Sequence, residues 1–290
     1  MVDPNERRDM LRGILLLVIS ASMFGVVDGL SKLLSETQSV GQIVWARYAL
    51  ALPVLVASTR PANWPDLFRT LRPGLQITRG LTPLVISVVM VLGVHYLPLA
   101  DATVLLFAGP FIVVALSAPL LGERIHLSSW IGVMLGFFAV VIVARPGFSA
   151  LSHYAIFPLI GAVFYAILQL ITRGLGAAGE KAGTTLAWTL LVGVIISTPY
   201  AWASWLPLDG RGWLLMIALG VVFGVSQLMM IRAFTFAPAG VLQPFNYVQL
   251  ISAVIFGILV FGDVPDRWTL IGVVTIIAAG IYVVRRRAVE

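Results

Sequence analysis

Residues 97–123, LPLADATVLLFAGPFIVVALSAPLLGE, and residues 237–263, APAGVLQPFNYVQLISAVIFGILVFGD, are two apolar stretches of one pattern. Each has a proline in second place and closes on a glycine followed by an acid: Pro98 and Gly122-Glu123 in the first, Pro238 and Gly262-Asp263 in the second, 140 residues further on. Between these marks the chain is continuously apolar and lacks the alternation of a barrel strand. A helix rises about 1.5 Å per residue, so roughly 20 apolar residues cross about 30 Å of hydrocarbon. Segments 99–121 and 239–261 therefore each read as one membrane-spanning helix. The same shift of 140 superposes Phe24 on Phe164, Gly132 on Gly272 and Ala139 on Ala279, which points to an internal repeat.

Outward from this pair, the chain divides into further apolar runs at 12–34, 39–58, 74–94, 127–145, 154–172, 184–203, 211–232 and 268–285, so ten spans are expected. Turn-forming stretches separate them, among them Arg60-Pro61-Ala62-Asn63, Arg145-Pro146-Gly147 and Leu206 to Gly210. Composition agrees: the 290 residues are 59% hydrophobic and only 11% charged, with mean hydropathy +0.99, too few polar groups to cover a water-soluble surface. The run after Arg7, Arg8 and Arg12 continues to about Leu34, too long for a cleavable signal, and is expected to stay as the first helix.

With the N-terminus in the cytoplasm, fourteen Lys and Arg residues fall on the inner side and four, Lys32, Arg145, Arg211 and Arg267, on the outer. This positive-inside bias puts both termini in the cytoplasm. It also accounts for the net charge of +6, which forms no continuous basic face, so nucleic acid is not an expected partner. A repeat of five helices is odd in number, so the second copy enters the membrane inverted. The expected fold is all-α and integral to the membrane: a first repeat over 12–146 and an inverted second over 152–286. Inverted repeats suit a transporter, because two similar halves can expose one midplane site alternately to each side.

Several motifs then gather into one pattern. They are Leu71-Arg72 and Arg79-Gly80 before the third span; His95-Tyr96-Leu97-Pro98-Leu99-Ala100-Asp101-Ala102 leading into the fourth, with Pro110 inside it; and Leu121-Gly122-Glu123-Arg124, Trp130-Ile131-Gly132 and Ala144-Arg145-Pro146-Gly147. Ala233-Phe234, Pro238, Pro244 and Phe261-Gly262-Asp263 repeat the scheme in the second half. Over essentially its whole length the chain resembles the drug/metabolite transporter superfamily, specifically the ten-helix proteins made of two EamA domains. It departs at Asp263, where relatives usually carry Glu, and at Phe261, where they carry Leu. The resemblance implies a secondary carrier whose central cavity is lined mainly by spans 1, 3, 4, 6, 8 and 9. It also implies outward transport of small organic metabolites, amino acids including aromatic ones among them, with nucleotide-like or vitamin-like compounds as the alternative.

Ionisable side chains inside a span are costly and suggest function by default. Asp28 and Lys32, four apart in the first span, could form an i,i+4 pair; the functional reading is a contact for a zwitterion or a proton site in Asp28, the plain one a structural ion pair. Arg47, beside Tyr48 in the second span, could hold a carboxylate or tie helices together, and Arg79 could line the cavity or anchor the third span. In the ninth span Gln243, Asn246 and Tyr247 are expected on one helical face toward solute, with Phe107 as the counterpart of Tyr247 in the first half. Tyr165, Gln169 and Gln227 add hydrogen-bonding groups, and Phe24 and Phe164 add aromatic wall. Pro110 and Pro244 are the expected hinges; Glu123 and Asp263 are expected as caps or loop ties.

No cysteine is present, and His95, His126 and His153 have no metal-ligand spacing, so neither a metal nor another cofactor is expected. No cluster suits an enzyme acting on lipid, and no charged ring suits a channel. A non-transporting scaffold remains the rival, and would tolerate loss of the ninth-span polar groups. The expected partners are membrane lipids and a small-molecule substrate; one chain holds both repeats and could work as a monomer.

Overall fold

The computed structural model describes residues 4–59, 61–113, 116, 127–144, 151–236 and 243–287. Its long elements are all helical: α1 (Pro4–Ser35), α2 (Val40–Ala49) continued by α3 (Leu52–Ser58), α4 (Pro73–Tyr96), α5 (Leu99–Leu106), α6 (Leu127–Ala144), α7 (Ile156–Ala177), α8 (Ala182–Ala203), α9 (Gly210–Phe236), α10 (Val248–Phe256) and α11 (Arg267–Arg287). With α2 and α3 counted as one span, these are the ten expected helices of a multi-pass membrane protein. Among the described residues five stretches, Arg8–Ser35, Val40–Ser58, Pro73–Tyr96, Ala182–Ala203 and Gly210–Ala233, are individually long and apolar enough to cross a bilayer. Helices predominate because lipid supplies no partner for a free N–H or C=O, and a helix satisfies both internally.

The packing follows an exchange of the two halves. Helix α1 lies on α9, and its counterpart α7 lies on α4; α2 packs on α9, and α8 on α4; α1 meets α10, and α7 meets α5. Pairs that map onto themselves, α2 with α8, α5 with α10 and α6 with α11, are also in contact. This pairing is inverted-repeat-like.

Among the described residues three spans depart from regular α-helix. The second is interrupted at Leu50-Ala51, because Pro53 has no N–H to continue the ladder. Two glycines of α9 cover this break: a Cβ on Gly220 would lie 2.4 Å from the Cβ of Leu50, and one on Gly224 3.0 Å from that of Ala51. The fourth span is interrupted at Phe107-Ala108, just before Pro110, and resumes over 109–113. Here Gly109 touches Tyr165 and the carbonyl of Ala162 on α7. The described part of the ninth opens on a 3₁₀ turn, Gln243–Tyr247, around Pro244, becomes α10, and ends as a π turn, Gly257–Phe261.

That π turn stops at Gly262, whose φ of +68° is the left-handed conformation glycine adopts without a Cβ clash. The N–H of Gly262 donates to Ile258 O at 3.1 Å, and that of Asp263 to Gly257 O at 3.1 Å. Asp263 then forms an ion pair with Lys32, whose Nζ also sits 4.5 Å from the centre of the Phe261 ring. The Gly-acid mark thus ends a helix and ties α1 to the end of the ninth span. Its counterpart Glu123 lies outside the described residues.

The expected Asp28–Lys32 pair does not form. Lys32 reaches outward to Asp263, while Asp28 faces the bundle interior and finds a different cation. Gln42 makes a second long-range tie: its side chain donates to Leu206 O at 2.9 Å and accepts from Leu206 N at 3.0 Å. Gln42→Ala would leave both backbone groups without that partner, and we expect a loss of about 1–3 kcal/mol, read as a lower melting temperature in detergent.

Candidate functional site

The interior polar groups form a connected set. Arg47, 4% exposed, donates from Nη2 to Ser31 Oγ at 2.6 Å and from Nη1 to Ser87 Oγ at 3.4 Å. Its Nη2 lies 3.7 Å from Asp28 Oδ1, an ion pair too long for a hydrogen bond. Asp28, 6% exposed, accepts instead from Gln249 Nε2 at 3.1 Å, and Ser87 Oγ shares a 3.2 Å hydrogen bond with the hydroxyl of Tyr48. One side chain from the second span therefore gathers groups from α1 and α4, and through Asp28 from α10. The Arg47 Nε has no partner among the described residues.

Close helix contact makes this gathering possible. A Cβ on Gly25 would meet Ser252 Oγ at 2.6 Å, and one on Gly29 would meet the Phe256 ring at 2.3 Å, so α1 lies directly on α10. Ser252 Oγ donates across that contact to Ser22 O at 2.7 Å. Gly193 of α8 faces the Tyr48 ring, 2.2 Å from where its Cβ would stand, and leaves Tyr48 fully buried.

The aromatic residues form two walls. Phe24 and Tyr48 both meet Phe223 edge to face, with ring centres at 6.3 and 5.3 Å. Phe107 and Tyr247, the counterparts under the repeat, meet each other at 5.5 Å. Residues equivalent under an exchange of halves can touch only near the axis that relates them, so this contact lies at the junction of the two halves. Gln169 donates to the Tyr165 hydroxyl at 2.9 Å on α7, beside Gly109. Gln227 on α9 is buried, and its Oε1 has no partner among the described residues.

Gln243, Asn246 and Tyr247 lie in a 3₁₀ turn and not in the α-helix expected of them. Pro244 carries no N–H, and residues 243–247 form a 3₁₀ turn with about three residues per turn. Positions 243 and 246 are then in line, and position 247 is rotated by roughly 120° from them. Asn246 and Tyr247 are buried, and Tyr247 turns to Phe107. Arg79 is fully buried and donates to Thr189 of α8 and not to a member of the Arg47 group. Ser31, Ser87 and Gln249 are the members of the central group that sequence reading does not select. Hydroxyls in a span resemble packing groups, and Gln249 lies off the face that an α-helical wheel favours.

An inverted-repeat bundle of ten helices, with buried charge and aromatic contacts where its halves meet, is the architecture of a secondary transporter. The model of the EamA-like transporter family matches residues 11–145 and 153–286, and the chain belongs to that family. It is 31% identical over 282 residues to the pseudopaline exporter CntI of Pseudomonas aeruginosa (strain UCBPP-PA14), covering 96% of this chain and 98% of that protein. It is 24% identical to the S-adenosylmethionine uptake transporter of Rickettsia felis over 94% of this chain and 92% of the relative, and 23% identical to the riboflavin transporter of Vibrio cholerae over 92% and 91%. A solved crystal structure at 16% identity shares the fold, with a TM-score of 0.62 over 98% of each chain. The protein is a multi-pass protein of the bacterial inner membrane and a secondary transporter of the EamA family.

Proposed function

We propose that the protein exports small amphipathic organic metabolites of the amino-acid class, aromatic ones included, by alternating access. The observation that carries this is the Arg47–Asp28–Gln249 group, which offers a cation, an anion and an amide within one buried cluster beside two aromatic walls. A zwitterion with an apolar side chain can exchange contacts with each of these groups. Outward direction is supported by the 31% identity to an exporter. The relatives named for S-adenosylmethionine and riboflavin favour a second reading, in which the cargo is nucleotide-like or vitamin-like.

In this account both termini face the cytoplasm, and residues 12–146 and 152–286 rock against each other. The interrupted helices at Phe107-Ala108 and Gln243–Tyr247, next to Pro110 and Pro244, absorb the motion. The Lys32–Asp263 pair closes the outer end and parts when the site opens outward.

Counterflow into liposomes containing purified protein, with labelled amino acids, nucleosides and vitamins, tests the assignment. We expect saturable exchange of amino acids, weakened at least tenfold by Gln249→Leu, which removes the amide on Asp28 and corresponds to about 1.4 kcal/mol. Exchange of nucleosides or vitamins alone would replace the cargo assignment. Folded protein that exchanges no member of the panel would count against this reading and in favour of a scaffold.

A further inference from the structure

Arg79 is the most deeply buried cation of the described residues, with no measurable exposure. Its Nη1 donates to Thr189 Oγ1, and its Nε and Nη2 have no partner among those residues. A guanidinium keeps its proton, so burial leaves a full positive charge with two donors unused. The surroundings are polar but do not neutralise it. Thr189 passes its own hydrogen to Thr185 O at 2.6 Å, and Gln76, one turn earlier on α4, donates to Thr185 Oγ1 at 3.4 Å and to Glu180 Oε2 at 3.3 Å. Glu180 is occupied by Thr70 Oγ1 at 2.6 Å and Leu71 N at 3.1 Å. The nearest acid in this chain of contacts thus reaches Arg79 only through neutral groups.

A buried permanent cation with open donors is complementary to an oxyanion, which the two free nitrogens can meet side by side. We infer that Arg79, with Thr189, is a binding station for an oxyanion, the carboxylate of the transported solute or a phosphoryl group. Its position fits a station on the way in. The Glu180 end of this polar column borders a cavity of about 530 Å³ at the loop joining α7 and α8, with Thr184 in its wall. At the other end, Ser87 lies eight residues beyond Arg79 on α4, about 12 Å along the axis, and bonds both Tyr48 and Arg47. The inference rests on the transporter reading and narrows its cargo to solutes with an anionic oxygen group.

The test is thermal melting of the purified full-length protein in detergent, in added sodium acetate, sodium phosphate or sodium chloride at equal ionic strength. Because it needs neither a gradient nor the right solute, it reads independently of transport. We expect acetate or phosphate, but not chloride, to raise the melting temperature saturably. The rise should vanish in Arg79→Gln and persist, weakened, in Arg79→Lys, which keeps the charge. Acetate acting alone assigns a carboxylate, phosphate acting alone a phosphoryl group. No rise in the wild-type protein, or an equal rise in Arg79→Gln, would overturn the inference. If Arg79→Gln fails to fold, an Arg79→Lys response identical to wild type in size and concentration dependence also overturns it.

Discussion

Arg47→Gln is expected to cost about 3–5 kcal/mol of stability and to abolish transport, because it leaves Asp28 as a buried charge without its cation. Gln249 alone then faces the carboxylate, and Ser31 and Ser87 lose the donor that joins them. Asp28→Asn is expected to cost a similar amount, since it leaves the Arg47 guanidinium, which keeps its proton, as the uncompensated buried charge, although the amide can still accept from Gln249. The informative variant is Asp28→Asn combined with Arg47→Gln. Removing both charges removes the uncompensated one, so most of the folded protein should return while transport stays absent. Melting in detergent reads the first effect and counterflow the second. A double variant that transports at the wild-type rate would reduce the group to a structural pair.

The second large effect is at the contact between α1 and α10. Gly29→Val places atoms inside the Phe256 ring, and Gly25→Val meets the backbone nitrogen of Ala253 at 2.9 Å as well as Ser252. Overpacking of this kind costs at least about 1–3 kcal/mol, and both variants should lose most of their folded, monodisperse protein. They differ in how they can be rescued. Adding Phe256→Ala to Gly29→Val opens room for the larger side chain and should restore folding, whereas no side-chain deletion moves the Ala253 backbone. Gly74→Val is the control, because its Cβ would point into open space. Size-exclusion profiles of these four variants beside wild type decide the matter, and loss of folded Gly74→Val would show that the effect is not specific to this contact.

Much of this architecture is legible in the sequence, for a physical reason. Spans are dictated by hydrocarbon thickness, and the Pro and Gly-acid marks recur because inverted copies must start and stop helices in the same way. Gly262 ends its helix with a positive φ, and Asp263 beside it ties that end to α1. Side-chain partners were less legible. Spacing alone gives Asp28 and Lys32 to each other, but it is blind to the radial position of each on the bundle, where Asp28 meets Arg47 and Lys32 meets Asp263. Ser31 carries no charge and bonds the carbonyl four residues back at 2.6 Å, so only the third dimension shows it under Arg47. The ninth span reads as α-helical from its sequence, whereas residues 243–247, around Pro244, form a 3₁₀ turn and Tyr247 meets Phe107.

Alternating access between the halves can be tested directly, because the sequence contains no cysteine. Lys32→Cys and Asp263→Cys replace the ion pair that joins the far end of α1 to the end of the ninth span, and a short cleavable bis-thiol reagent can bridge them. Counterflow is measured, with the solute that wild-type protein exchanges, before bridging, after bridging and after cleavage of the bridge. Exchange is expected in the unbridged protein, with its loss on bridging and its return on cleavage, and each single-cysteine variant should be unaffected by the reagent. Exchange that continues undiminished in fully bridged protein would contradict alternating access, because the outer end would then never need to open.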